Sequence, residues 1–414
     1  MSRPAVLMIA FHYPPCKAVG GLRPRRFVRY LGRLGFNVRV IAAGDEHRPS
    51  TIDNVQRLRG DLEESIPTFL EKVCRRLFWP HGWGAAWALA TVWHARRFIQ
   101  GSRPILISTA PPLATHFAAY ILKRQHGLRW IADFRDPFVG HRGPAGLGRF
   151  DKRIENGIFR RADAIVANTD VVADLWRRQY PEFAHKIHVI WNSLDPEDGL
   201  RAEPIPQRTH KALVHVGALY GGRHPGPLLG SFERLAERHW LDSHPVRIRL
   251  VGSLEESTLP EPRLFQRLID SGWMECTPSI PRAAARQIMS EADYLLLLDV
   301  LEGFSAGLQV PSKLFEYVRI GRPILACTTR DSALERVLSQ SGVPHTMLYS
   351  DDPEEAIDRK VVEFFSLPTN PTQPSPEFES RFSIEAQGSR LCTLLEGDSN
   401  LRPADCDSHD RLAI

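Results

Sequence analysis

Short apolar runs alternate with stretches of helical periodicity along this chain, and the alternation happens twice. In the first half, AVLMIAF (5–11), NVRVIAA (37–43), ILIST (105–109), LRWIADF (128–134), AIVANT (164–169) and KIHVIWN (186–192) read as strands, with helical patterns such as Leu22 to Leu34 and Leu113 to Arg124 between them. Runs that are apolar throughout suit strands buried on both faces, and strands separated by helices build a mostly parallel sheet. The polar, proline-containing stretch 195–210 breaks this rhythm. It restarts at KALVHVGAL (211–219) and continues through VRIRLVGS (246–253), YLLLLDV (294–300) and PILAC (323–327). The expected fold class is α/β, with two doubly wound Rossmann-like domains facing across a cleft. The expected division is a first domain at 1–200, a linker at 201–210 and a second domain at 211–365. A connector and final helix at 366–395 would cross back to the first domain, ahead of a disordered tail at 396–414. The four prolines of SLPTNPTQPSPE (366–377) mark the connector.

Composition narrows the class further. Hydrophobic residues make up 43% of the 414 and charged residues 24%, which excludes global disorder, collagen and a long coiled coil. Lys and Arg number 53 against 48 Asp and Glu; the resulting +5 permits an anionic ligand or membrane surface and does not argue for nucleic acid. The six cysteines have no CxxC spacing, so neither zinc nor a redox motif is implied, and most are expected to be buried thiols. The amino end runs into His12, Pro14 and Pro15 and reads as a first strand, not a signal peptide. The weakly polar segment Gly82 to Trp93 is far short of the ~20 residues that span a bilayer. The expected location is the cytoplasm, with peripheral contact at the inner face of the membrane.

Two glycine-rich turns and one helix carry the chemistry. Gly20 and Gly21 follow the first strand, where a tight turn into a helix can bring backbone close to an anion. This is not a GxGxxG dinucleotide fingerprint. Gly217, Gly221 and Gly222 play the same part after the first strand of the second half, and Arg223 stands where a guanidinium could meet a diphosphate. In VPSKLFEYVRIGRPILA (310–326), Pro311 and Ser312 look like a helix entry, Gly321 its end and Pro323 the start of a strand. Lys313 and Glu316 share a face. They could hold phosphate and ribose hydroxyls, or simply form an exposed ion pair on a capped helix.

The segment 310–326 resembles the carboxyl-terminal signature of family 4 glycosyltransferases, the large retaining group with the GT-B fold. Glu316 precedes Gly321 and Pro323 as the family's glutamate precedes its Gly-x-Pro. The PSKLFEY form is similar to a branch acting in bacterial surface polysaccharide, capsule and O-antigen synthesis. GALYGGRHP resembles the family's donor-diphosphate loop. FHYPP with GGLRPRRFVRYLGRLGFNVRVI, and residues 108–138, resemble its acceptor domain. IHVIWNSLD (187–195) takes the place of the family's segment at the domain junction. One departure stands out: many members carry a first glutamate eight positions before the second, where this chain has Leu308. Glu302 is acidic but falls six residues early.

The resemblance implies a donor site of Gly217, Gly221, Gly222, Arg223, Pro311, Ser312, Lys313, Leu314 and Glu316. Arg223 and Lys313 would stabilise the leaving diphosphate without a metal, and Glu316 would orient the ribose. On the acceptor side, His12, Gly20, Gly21, His116, Asp133, Arg135 and Asp136 are the candidates. Asp136 could orient a hydroxyl and is named with Arg223 and Lys313 as catalytic. The alternative for the Asp133, Arg135 and Asp136 cluster is an internal salt bridge. Trp83 and Trp87, four apart, with Arg75 and Arg76 before them and Trp93, Arg96 and Arg97 after, suit an anionic lipid surface or a buried aromatic helix. The implied substrates are a UDP- or GDP-linked sugar and a glycan or polyprenyl-diphosphate-linked acceptor, with no tightly bound cofactor, no metal and no nucleic acid. A GT-B nucleotide-sugar epimerase and a non-catalytic sugar-nucleotide-binding or scaffold subunit stay open as alternatives.

Overall fold

A computed structural model describes residues 3–16, 18–44, 54–58, 84–137, 148–303 and 305–397. The chain divides into two compact units. Unit 1 comprises Met1–Val139, Leu147–Trp191 and Ile384–Ile414, and unit 2 holds Asn192–Ser383. The tail expected from residue 396 lies, from 398 onward, outside the described residues.

Unit 1 is built on strands β1 (Val6–Ala10), β2 (Val38–Ala43), β3 (Val55–Leu58), β4 (Ile105–Ala110), β5 (Trp130–Phe134), β6 (Ala164–Ala167) and β7 (Ile187–Val189), in the order β3-β2-β1-β4-β5-β6-β7. Every neighbouring pair is parallel. Helices α1 (Leu22–Arg33), α2 (Ala85–Ser102), α3 (Ala114–His126), α4 (Gly148–Arg161) and α5 (Asp170–Gln179) are interleaved with them. All five residues of β1 and all five of β5 are buried. Such strands have no solvent face, which is why their sequences do not alternate. Thr169 closes β6 and caps α5, its side chain accepting from the Val172 N–H at 3.1 Å.

Unit 2 repeats the plan with β8 (Lys211–Val216), β9 (Val246–Val251), β10 (Met274–Thr277), β11 (Tyr294–Leu298), β12 (Ile324–Thr328) and β13 (His345–Tyr349), in the order β10-β9-β8-β11-β12-β13, again all parallel. Its helices are α6 (Gly226–Glu237), α7 (Trp240–Ser243), α8 (Pro262–Asp270), α9 (Arg282–Ser290), α10 (Ser312–Ile320), α11 (Ala333–Leu338), α12 (Glu354–Phe365) and α13 (Pro376–Phe382). The stretch 201–208 has no regular structure but is tied to unit 2. Arg322, only 5% exposed, donates to the Glu203 carbonyl at 2.8 Å and to the Thr369 carbonyl. Gly321 ends α10 with φ +78, and a Cβ there would collide with the Thr372 backbone, so only glycine fits.

The last helix, α14 (Ile384–Glu396), belongs to unit 1 and packs on α1. Gly388 of α14 leaves no room for a side chain beside Tyr30, and Gln387 accepts the Trp191 N–H at 2.8 Å. Beneath α1 lies a buried ion pair that the sequence pattern hides. Arg23 and Asp133, each 5% exposed, meet at 2.8 Å. The same guanidinium donates to the carbonyls of Ile190 and Trp191 at 2.7 Å each, and Asp133 also accepts from the Thr109 hydroxyl at 2.8 Å. One arginine therefore joins α1, β4, β5 and the end of the β7 segment.

Two of the four described cysteines, Cys327 and Cys392, are buried, while Cys16 and Cys276 are exposed, fewer buried than the sequence reading expects. Removing one member of the Arg23–Asp133 pair strands the other in the core. Arg23→Ala is expected to cost roughly 3–5 kcal/mol in urea unfolding. The apolar double replacement Arg23→Met with Asp133→Leu is expected to recover most of that loss; a single variant as stable as the parent would show the pair to be dispensable.

Candidate functional site

In an open parallel sheet, a ligand site forms at the carboxyl ends of the strands where the order reverses, because the two loops there diverge and leave a crevice. In unit 2 that point lies between β8 and β11. The loop after β8 carries Gly217 to Arg223. The loop after β11 leads to α10.

Three glycines make the first loop possible. A Cβ at Gly217 would lie 2.9 Å from His215 Nε2. Gly221 and Gly222 have φ +57 and +82, and a Cβ on Gly222 would approach the Glu302 carbonyl to 3.2 Å. The Gly222 carbonyl accepts the Leu301 N–H at 3.0 Å, stitching the two loops together. Arg223 follows directly. Its guanidinium carbon sits 5.2 Å from the Tyr220 ring centre, and its Nε is buried without a hydrogen-bond partner.

The second loop delivers α10. Its N-cap is Pro311, which has no side-chain acceptor to satisfy the first N–H groups. Lys313 Nζ lies 2.5 Å from Glu316 Oε2, and Arg282 of α9 reaches Glu316 Oε1 at 3.3 Å. Glu316 is only 7% exposed. The pair is thus enclosed, not the exposed one considered from sequence. Tyr317 is fully buried, and its hydroxyl accepts the Val216 N–H at 3.0 Å, locking α10 to the end of β8. Leu314 differs from its expected role: its side chain is in the core and its N–H bonds the Pro311 carbonyl, so it offers nothing to a donor. Leu308 is half-buried within the turn closed by its own N–H to the Ser305 carbonyl.

His215 and Asp299 went unnoticed in the sequence because each continues or ends an apolar strand. His215 Nδ1 bonds the Leu296 carbonyl at 2.9 Å, while Nε2 is buried and unpartnered. Burial pushes its pKa down to about 4, the Leu296 bond works in the opposite direction, and the charges of Arg223 and Lys313 push it further down. What joins the two loops is geometry: the bond from Leu301 N–H to the Gly222 carbonyl and the anchoring of α10 to β8 through Tyr317. Asp299, fully buried, accepts from the Val300 N–H at 2.8 Å and the Thr328 hydroxyl at 2.9 Å. Burial raises it to about 6, against the opposing pull of those bonds and Arg223. Glu302 is exposed and lies 3.8 Å from His224 Nε2. Among the described residues, no group of three or more His, Cys, Asp or Glu is arranged to hold a metal ion.

The switch point of unit 1 lies between β1 and β4. Gly20 and Gly21 follow β1, and a Cβ at Gly20 would collide with the Arg135 guanidinium. Arg135 donates to the carbonyls of Ala110 and Pro111 and is thereby held over the β4 turn. His12 and Asp136 are half-buried at the ends of β1 and β5. His12 is lowered to about 4, first by burial and then by Arg135. Two candidates sit elsewhere. Asp133 is committed to Arg23 and Thr109. His116 is fully buried, bonded through Nδ1 to Ser108 at 2.7 Å and packed against Phe134, and burial pushes it down to about 3. It is a core histidine in this structure, out of reach of an acceptor. Trp87 is likewise not on the surface: it is fully buried, with its ring 5.0 Å from that of Phe11. Trp83, Arg75 and Arg76 lie outside the described residues.

A family model, Glycosyltransferase Family 4, matches residues 24–198. No curated protein matches the sequence. Solved structures match over nearly the whole chain at low identity. Sucrose-phosphate synthase from Thermosynechococcus elongatus is similar at 13% identity with a TM-score of 0.66, covering 95% of this chain and 99% of its own. A glycosyltransferase from Rickettsia africae matches at 12% and 0.65, covering 96% and 99%. Anabaena HepE, in complex with UDP-glucose, matches at 12% and 0.61, covering 95% and 99%. The fold is GT-B, two Rossmann-like α/β domains with parallel sheets.

Histidines held neutral by burial make the fold acid-sensitive. Their folded pKa lies below the unfolded value, so their contribution is complete above about pH 6.5 and is lost as pH falls toward about 4. His215 alone accounts for a contribution on the order of 3 kcal/mol; Asp299, raised instead of lowered, opposes it. His215→Asn is expected to flatten the fall of the unfolding midpoint across this window; an unchanged pH profile would show that the imidazole does not carry it.

Proposed function

We propose that this protein is a retaining glycosyltransferase that moves a sugar from a nucleoside-diphosphate donor to a hydroxyl of a glycan or polyprenyl-diphosphate-linked acceptor. The observation that carries the reading is that the glycine loop bearing Arg223 and the helix start bearing Lys313 and Glu316 both lie at the β8–β11 switch point, tied by the bonds from Leu301 N–H to the Gly222 carbonyl and from Val216 N–H to the Tyr317 hydroxyl. In support, the matched structures include HepE with UDP-glucose and a lipopolysaccharide outer core galactosyltransferase, WaaB. The sequence branch that PSKLFEY resembles fits surface-polysaccharide synthesis in the cytoplasm, at the inner face of the membrane.

The chemistry follows from charge placement. The bond between the anomeric carbon and the β-phosphate oxygen breaks, and its electron pair goes to the diphosphate. The acceptor oxygen bonds the same face of that carbon, and its proton passes to the departing phosphate. Negative charge grows on the diphosphate as this happens, so preorganised donors there lower the barrier. Arg223 supplies a fork of N–H groups, Lys313 a point charge, and the start of α10 unpaired N–H groups with the positive end of the helix dipole. Gly217, Gly221 and Gly222 let backbone come close to the phosphates. Glu316, its carboxylate plane set by Lys313 and Arg282, accepts from the ribose hydroxyls. On the acceptor side, His12, Arg135 and Asp136 are the polar groups at the unit 1 switch point. Asp136 orients the attacking hydroxyl.

Calorimetry with UDP- and GDP-sugars tests the donor site. Arg223→Ala is expected to weaken donor binding about tenfold to a hundredfold, the worth of a charge-assisted contact. Glu316→Gln is preferable to Glu316→Ala, because it keeps the volume beside Lys313; it is expected to lower affinity for the nucleoside diphosphate as well as the full sugar donor. Parental affinity in both variants would refute these roles. Transfer of labelled sugar to a lipid-linked acceptor, with no conversion of the donor alone, separates a transferase from an epimerase.

A further inference from the structure

Helix α2 presents two faces of different character. Trp87, Ala88, Thr91, Val92, Ala95 and Ile99 are buried in unit 1. On the opposite side, Leu89 is 57% exposed and Trp93 54% exposed. They are four apart and share one stripe. With Tyr220 beside Arg223, they are the large hydrophobic side chains most exposed among the described residues. The stripe continues into Arg96 and Arg97, both exposed, and the Arg97 guanidinium carbon lies 5.1 Å from the Trp93 ring centre. Arg96 reaches Gln125 of α3 at 3.4 Å.

The charge around this stripe is one-sided. Between Glu71 and Asp133 the sequence holds no Asp or Glu, although 48 of the 414 residues are acidic. Within the described part of that interval, Arg96, Arg97, Arg103, Lys123, Arg124 and Arg129 are the cations. Lys123 pairs with Asp163 at 2.6 Å, and Arg129 donates to the Leu395 carbonyl at 3.5 Å. Arg96, Arg97, Arg103 and Arg124 remain exposed.

We infer that the Leu89–Trp93–Arg96–Arg97 face of α2 docks unit 1 on a bilayer containing anionic phospholipid. Two large apolar side chains are too few to form the core of a stable protein interface, which needs about 1,000 Å² or more. They are enough for shallow insertion when basic side chains at the same level add their attraction to an anionic surface. Tryptophan suits that depth, since its ring is apolar and its indole N–H stays near the headgroups. The docking face lies on α2 itself: Trp93, Arg96 and Arg97 of the aromatic and basic stretch are on it, and Trp87 is not. It bears on the proposed reaction without depending on it, because vesicle binding and donor binding are measured separately and either can fail alone.

Sedimentation of the full chain with vesicles of phosphatidylcholine, with and without phosphatidylglycerol, tests the inference. Binding is expected only with phosphatidylglycerol and is expected to weaken with added salt. Leu89→Ser with Trp93→Ser, and separately Arg96→Ser with Arg97→Ser, are each expected to weaken it about tenfold or more. Donor affinity and circular dichroism are expected to stay at parental values, since all four side chains point outward. Brominated lipid is expected to quench tryptophan fluorescence in the parent and less so in Trp93→Phe. Equal binding to phosphatidylcholine alone, undiminished binding by both double variants, or a parental dimer that Trp93→Ser splits into monomers would overturn it; the last result would give the face to a second copy.

Discussion

Everything functional in this molecule hangs on parallel strand pairing. A parallel sheet cannot be joined by tight turns, so each strand is followed by a crossover, and the direction of crossing reverses once in each sheet. In unit 2 that reversal parts the loops after β8 and β11, and the first delivers Arg223 while the second delivers Lys313 and Glu316. The separation in sequence is large. It is closed by a ladder register that pairs Leu213 with Tyr294, and by the bond from Leu301 N–H to the Gly222 carbonyl.

Enclosing cationic side chains costs energy, and the surroundings show how that cost is met. Lys313 is balanced by Glu316, and Glu316 is shared with Arg282. Burial lowers the pKa of His215 and so favours its neutral form. Arg223 lies over Tyr220 with its Nε buried and unpartnered. A buried donor without an acceptor is unfavourable, and a bound anion of the proposed kind would satisfy it. In unit 1 the same economy takes another form: Arg23 and Asp133 neutralise each other and cross-link four segments.

Much of the plan was legible from residue order. Continuous apolar runs marked β1, β5, β8 and β11 because strands covered on both faces need no polar alternation. Gly221, Gly222 and Gly321 announced positive φ, and the structure has each of them there. The lysine and glutamate of α10 had to share a face because a helix repeats every 3.6 residues. Periodicity tells which residues align, not which way the aligned face points. By spacing, Trp83 and Trp87 fitted a lipid surface or a buried helix; in the structure Trp87 faces the core, and Leu89 with Trp93 face outward. The spacing does not mark Arg23 for burial, yet it is buried. For Asp133 the internal salt bridge weighed from sequence is what the structure holds, with Arg23 as its partner.

The chain's order of residues alone determined the element types, the restart of the α/β pattern after residue 210, the glycine positions and the basic residue of each loop. Those depend on local sterics and on burial periods that act over a few residues. The tertiary structure decided which arginine is buried, which tryptophan reaches solvent, whether Glu316 is exposed or enclosed, and that His215 feels both Arg223 and Lys313. Burial and electrostatic coupling depend on atoms brought together from distant points in the chain, and no local pattern encodes that distance.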